Sequence, residues 1–231
     1  MNLLAFEAAT SRLSVALYRD GVITEKSADV PNGGSERLLP WANELLAESG
    51  LTLRQLDGIA FGAGPGGFTG LRLACGVTQG LACGLDLPVV PVGTLAALAL
   101  ASGEGKVFAC LDARMNEVYV AAYQVAGDSV QEIMSPQVGA GETAFLPDGD
   151  GWRGVGDGFA TAHGDALCQR MGGRFTAVDA SVFPTAGAIA RLAAPVLARS
   201  GGVEAAQALP LYVRDKVALT TAERLARGGS K

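Results

Sequence analysis

Residues 3–19 read LLAFEAATSRLSVALYR and residues 108–124 read FACLDARMNEVYVAAYQ, and the two stretches align without a gap when Glu7 is set over Asp112. Apolar positions agree at Leu3/Phe108, Phe6/Leu111, Leu13/Val118, Val15/Val120 and Tyr18/Tyr123, and Ala16 meets Ala121. Each stretch predicts a strand, a turn and a second strand. Asp20-Gly21 and Gly127-Asp128 are then turns into a third strand, at 22–26 and 130–134. Two β-β-β-α units in one chain predict an internally duplicated α/β fold with a mixed sheet in each half. The pattern restarts at Gly103-Glu104-Gly105, which divides the chain into domains 1–104 and 105–231. The last helix is expected to be able to pack back on the first domain.

Working outward, Ser35 is expected to cap a helix running to about residue 49, with Pro40 in its first turns and Gly50 as its stop. A short strand (59–61), a glycine loop (62–67), a long helix (68–85), a strand (89–92) and a helix capped by Thr94 (94–101) follow. Beyond residue 134 the pattern weakens. Residues 142–146 and 159–171 read as helical, 184–199 more clearly so, before an extended segment at 210–214 and a charged tail helix.

Composition excludes several classes. Glycine (32 residues) and alanine (39) make up almost a third of the 231 residues without any period, which indicates closely approaching backbones rather than a fibrous or low-complexity chain. A net charge of −5 argues against a broad nucleic-acid footprint. It leaves the tail 214–231, with five basic and two acidic residues, as the one stretch suited to phosphate. Residues 3–6 are too short for a secretory apolar segment, and the uncharged run 87–103 is broken by Pro88, Pro91 and Gly93. The sequence therefore predicts no membrane span and a cytoplasmic location. Cys75, Cys83, Cys110 and Cys168 form no C-x-x-C pair and are expected to be buried reduced thiols. With His163 the sole histidine, expected to face solvent, no zinc or iron site and no Ser-His-Asp or Cys-His set is predicted. No G-x-S-x-G occurs.

Gly62-Ala63-Gly64-Pro65-Gly66-Gly67 satisfies G-x-G-x-x-G between a strand and a helix, the context of a dinucleotide loop. The strand 89–92 ends without an acid for a ribose hydroxyl, and Pro65 removes an amide from any phosphate cradle, so a sharp strand-to-helix turn is the reading kept. Glu7 and Asp112 end the first strands of the two halves. Acids there either organise metal and phosphate, as in duplicated actin-like kinases, or are structural, and neither following turn has the glycines to wrap a triphosphate. On helix 68–85, Gly76, Gly80 and Gly84 form a stripe that together gives up about 2–3 kcal/mol of helix propensity against alanine. Such a stripe admits a close helix backbone, from this chain or another. Trp41 and Leu45 on the preceding helix offer apolar area for the same contact.

Four stretches resemble the bacterial TsaB (YeaZ-like) family: LLAFEAAT at 3–10, SERLLP at 35–40, GPGGFTGLR at 64–72 and LDARMNEVY at 111–119. So does the closing Leu211-Tyr212-Val213-Arg214. The resemblance implies an actin-like (ASKHA, RNase H-like) fold of two duplicated β-β-β-α-β-α domains with mixed sheets. It also implies a part in forming N6-threonylcarbamoyladenosine at position 37 of tRNAs that read codons beginning with A. In that family the chain is a non-catalytic scaffold or activator of the transferase TsaD, joined by the ATPase TsaE. ATP and metal are used by these partners, this chain binding no cofactor alone, and tRNA is reached through the complex. The expected partner interface comprises Leu38, Trp41, Leu45, Arg72, Gly76, Gly80 and Gly84. The glycine loop contributes Gly64, Pro65, Gly66, Gly67 and Thr69, with no catalytic residue and no metal ligand. Whether the chain pairs with itself is left open. The sequence departs from the pattern at Glu7, where Asp is usual, at Gly67, where Ser is common, and at Gly34, where His often precedes Ser35. An active actin-like small-molecule kinase, or a peptidase, is the rival expectation.

Overall fold

The computed structural model describes residues 1–30 and 34–214. The first half runs β1 (Asn2–Glu7), β2 (Arg12–Arg19), β3 (Val22–Asp29), α1 (Ser35–Glu48), β4 (Gly58–Gly64), α2 (Phe68–Leu85), β5 (Val89–Gly93) and α3 (Thr94–Ala101). The second runs β6 (Gly105–Arg114), β7 (Glu117–Ala126), β8 (Ser129–Gly139), β9 (Trp152–Val155), α4 (Ala162–Met171), β10 (Phe175–Asp179) and α5 (Ala186–Ser200). The two sheets have the orders β3-β2-β1-β4-β5 and β8-β7-β6-β9-β10. In each, the first three strands form an antiparallel meander and the last two add in parallel. The same order and polarity twice over is the duplication read from the sequence, and the fold is α/β and actin-like.

The alignment that exposed the duplication is one residue out in its first strand. Phe6 pairs with Val15, whereas Val120 pairs with Cys110, so the counterpart of Phe6 is Cys110 rather than Leu111. Glu7 accordingly matches Leu111, and Asp112 lies one step beyond. A register shift between Asp112 and Arg114 absorbs the extra residue, and β2 and β7 keep the alignment as written.

Three apolar clusters hold the layers. Leu4, Phe6, Val15 and Phe61 pack outward against α1 and α2, and Phe108, Val118, Val120 and Trp152 do the same against α4 in the second half. Between the sheets, Leu3, Ala5, Ala16 and Ala60 face Val107, Ala109, Ala121 and Tyr123 across α3 and α5. Ala186, Ala188, Ala190, Ala193 and Ala194 of α5 are buried there, and these small side chains let a helix fit between two sheets. The start of α5 is held by the first half: the Ala186 amide donates to Ser14 Oγ (2.8 Å) and the Gly187 amide to Glu25 Oε2 (2.8 Å).

Several local expectations need correction. The N-cap of α1 is Gly34, at φ 94°, and Ser35 is the first helical residue. Residues 142–146 are not helical: 141–144 form a turn in which Ala140 O accepts from the Thr143 and Ala144 amides, and 145–146 are irregular. Residues 159–171 divide into a short 3-10 turn and α4. Strands β9 and β10 were not read from the sequence. The charged tail helix lies outside the described residues. Cys83 is exposed and Cys168 half-buried, unlike buried Cys75 and Cys110. His163 is not solvent-facing: its side chain is 18% exposed, and Nδ1 accepts the Gly141 amide (3.2 Å). No helix among the described residues is long and apolar enough to cross a membrane.

Candidate functional site

A cleft of about 520 Å³ opens where three turns and the closing segment of the described chain converge. Its walls are the β1–β2 turn (8–11), the β4–α2 turn with the first residues of α2 (65–71), the β6–β7 turn with its flanks (111–114) and residues 211–214. The glycines of the second wall are there for backbone approach. A Cβ on Gly66 would lie 2.6 Å from both the Cβ and the carbonyl oxygen of Ala9, and one on Gly70 would overlap the carbonyl of Ala8. The Gly67 amide donates to Ala9 O at 2.7 Å, so the α2 N-terminus spends that donor on the β1–β2 turn. Gly62 and Gly64 belong to β4 rather than to a loop, and the Gly64–Pro65 peptide is cis. Thr69 is exposed on the cleft wall. Thr94 does not cap its own helix: its hydroxyl accepts the buried Gly64 amide (3.1 Å), fixing where β4 ends.

The carboxylates at the strand ends do different work. Glu7 is fully buried; Oε1 accepts the Ala9 amide (2.6 Å) and Oε2 has no partner. Burial pushes its carboxyl up to about 7 against the opposing pull of the Ala9 and Ala8 amides. Its head occupies the space that Gly62 leaves by having no side chain. Asp112 accepts the Arg114 amide (2.8 Å) and pairs with the Arg114 guanidinium (3.0 Å). Asp157, which the sequence reading did not single out, accepts the Asp112 amide (3.0 Å), and burial raises its carboxyl above the ordinary range. Arg114, Met115 and Asn116 all have φ between 53° and 61°, a left-handed turn built without glycine and therefore held by its surroundings. Among the described residues no group of three or more His, Cys, Asp or Glu stands together as a metal-ligand set.

The helices expected to meet a partner divide by face. Leu38 and Leu45 point into the chain's own core, 0% and 2% exposed, together with Ala42 and Leu46 on the same side of α1. That spacing is the core stripe of an amphipathic helix, so these two leucines are corrected to core residues. Trp41 is half-buried beneath Arg37 (5.8 Å), and Leu39 is 45% exposed. On α2 the core face is Leu71, Ala74, Cys75, Thr78 and Ala82. The opposite face carries Gly76, Gly80 and Gly84, all exposed, with no described atom outside the helix's own turns within 4 Å of where a Cβ would stand. Among the described residues nothing packs on the stripe. Arg72 stacks over Phe68 (3.6 Å) and donates through Nε to Tyr212 Oη (3.2 Å).

Comparison with known proteins follows the same outline. The family model described as "TsaD: tRNA N6-adenosine threonylcarbamoyltransferase" matches residues 30–221. A Haemophilus influenzae protein named "tRNA threonylcarbamoyladenosine biosynthesis protein TsaB" is 37% identical, the alignment covering 94% of this chain and 95% of that protein. The Escherichia coli protein of the same name is 31% identical over 94% and 96%. The chain belongs to the TsaB family. The crystal structure of YeaZ from Pseudomonas aeruginosa superposes with a TM-score of 0.83 at 41% identity, covering 91% of this chain and 99% of that one. A Pseudomonas aeruginosa protein described by similarity to peptidase YEAZ gives 0.84 at 40% identity, over 92% and 99%. Against the TsaB pattern, the departure at Gly34 has a local reason: φ is 94°, and Val30 and Leu13 side-chain atoms lie 3.1 and 3.2 Å from a Cβ position there, so this backbone is adapted to glycine.

Proposed function

We infer that the chain acts in the formation of N6-threonylcarbamoyladenosine at position 37 of tRNAs reading codons that begin with A. Its role there is that of a non-catalytic subunit of the transferase TsaD, with the ATPase TsaE as a third component. The observation that carries this reading is the near full-length match to proteins named for that biosynthesis. The cleft favours the accessory role over an enzymatic one. Where an actin-like enzyme would turn free amides and carboxylates toward a phosphate, this chain consumes them: Gly67 N–H on Ala9, Asp112 on Arg114, and Asp157 on the Asp112 amide. The exposed side of α2, with Arg72 at one end and Gly76, Gly80 and Gly84 along it, is the surface assigned to the partner helix, with Trp41 of α1 as a second contact. ATP and metal then belong to the partners, tRNA is reached through the assembled complex, and the setting is the cytoplasm.

Co-purification with candidate TsaD and TsaE, followed by an assay of modified adenosine with each component left out in turn, tests the reading. Product should require all three, and this chain alone should bind no stoichiometric metal and make no product. Product formed without TsaD, or ATP turnover by the isolated chain, would give the role to an actin-like enzyme instead.

A further inference from the structure

After α5 the chain does not stay with the second half. Val203 forms an antiparallel bridge with Val89 at the edge of the first sheet, with both N–H···O distances 2.8 Å. Ala208 is buried, and its carbonyl accepts from Gln79 Nε2 (2.9 Å) and Cys75 Sγ (3.2 Å) of α2. The Leu211 amide then donates to Ala63 O (2.7 Å), and Gly64 has no side chain because the Leu211 carbonyl would lie 2.8 Å from its Cβ. Tyr212 meets Arg72 through its hydroxyl and Phe68 through its ring, at a centroid distance of 6.0 Å. Two residues later the chain crosses the cleft. Arg214 forms an ion pair with Glu117, donates to Ala113 O (3.2 Å) and Met115 Sδ (3.4 Å), and lies over the Tyr119 ring (6.0 Å).

These contacts join two places that otherwise belong to different sheets. One is the start of α2; the other is the β6–β7 turn, whose three consecutive left-handed residues need outside support. Arg214 supplies that support through Nη2, which donates to both a backbone carbonyl and a carboxylate from a side chain only 14% exposed, a stronger attachment than a solvated surface pair. We propose that residues 208–214 are a conformational strap, which couples the α2 face to the β6–β7 turn across the cleft so that releasing either end loosens the other. Arg214 and Tyr212 are its positioning residues. The strap stands on contacts within this chain and does not depend on the functional reading above.

Amide hydrogen exchange of the full chain tests it, followed over peptides covering 63–72 and 113–119. Arg214→Ala should speed exchange in 113–119 at least about tenfold and also in 63–72, where the Leu211–Ala63 bond is the far end of the strap. Tyr212→Phe removes a hydroxyl that touches α2 alone, and it should still speed exchange in 113–119. If each variant affects only the peptide it touches, the ends are independent and the strap is overturned. Should Arg214→Ala prove unfolded, Glu117→Gln decides between the same outcomes, because it removes the ion pair while keeping the side-chain shape.

Discussion

Gly70, in the first turn of α2, lies against the carbonyl oxygen of Ala8 so closely that a Cβ at position 70 would overlap it. Both members of the contact are backbone, so neither can rotate away. The helix and the β1–β2 turn are seated on one another by the absence of a side chain.

Gly70→Ala must therefore push α2 off the turn, at a cost of about 1–3 kcal/mol in unfolding free energy, the range of core overpacking. Gly80→Ala is the matched control. No described atom lies near its Cβ position, and replacing a helical glycine by alanine should stabilise by roughly 0.5–1 kcal/mol. Urea titrations of the two variants should move in opposite directions from wild type. A neutral Gly70→Ala would show that α2 does not sit on Ala8 in solution.

Glu7 sets a pH dependence. Its native carboxyl titrates near 7 against 4.5 in the solvated, unfolded chain, so between these values the native state holds a proton that the unfolded state has lost. Stability from this group is then fully present below about pH 4.5, falls as pH rises, and levels off above about pH 7. From about pH 5.5 to about pH 8 the loss is roughly 2 kcal/mol. Glu7→Gln keeps the shape without the titration and should remove that part of the slope. Parallel stability-versus-pH curves for wild type and Glu7→Gln would place the carboxyl in water.

Thr94→Val keeps the volume and removes the hydroxyl that accepts the Gly64 amide. A buried N–H without a partner costs about 1–3 kcal/mol, and the loss should appear as a lower melting temperature. Thr94→Ser keeps the acceptor and should stay closer to wild type than Thr94→Val does.

The parts of the fold written in local sequence were legible, and those made by distant pairing were not. Phe68 and Leu85 bound α2 as expected, because a glycine turn precedes it and an αL residue, Asp86, follows it. The expected strands of the two meanders were found at their places, although each runs longer than its apolar core. Apolarity on both faces is why the alignment slipped by one in β1: buried on both sides, Leu3 and Leu4 give no alternation to fix which one faces α5. Strand β9 was hidden by the Asp-Gly repeats around Trp152, and β10 by its exposed, mixed sequence; both exist because β6 and β9 offer an edge. At the site, the glycines of 64–70 were visible as a motif, but their reasons lie at Ala8, Ala9 and Leu211. Leu211-Tyr212-Val213-Arg214 was visible as a motif too. Its hydrogen bonds span 97 residues of chain (Arg214 to Glu117) to 148 (Leu211 to Ala63), beyond the reach of any local pattern.

The α2 stripe yields the sharpest test of the assembly. Gly76, Gly80 and Gly84 recur at four-residue spacing on a face that the described residues leave open. No described side chain uses the space that they leave. That space is useful to a second helix that must approach backbone to backbone. Gly80→Leu puts a bulky side chain in the middle of that approach without harming the helix, because leucine is the better helix former. Circular dichroism and melting temperature should stay at or above wild type. Association with TsaD should weaken at least about thirtyfold in dissociation constant, about 2 kcal/mol, because close packing at the interface centre carries much of the affinity. Leu39→Ala, on the outer side of α1, tests separately whether α1 shares the contact, since its side chain is 45% exposed and lies outside the core. A folded Gly80→Leu chain that binds TsaD as tightly as wild type would move the interface off α2 altogether.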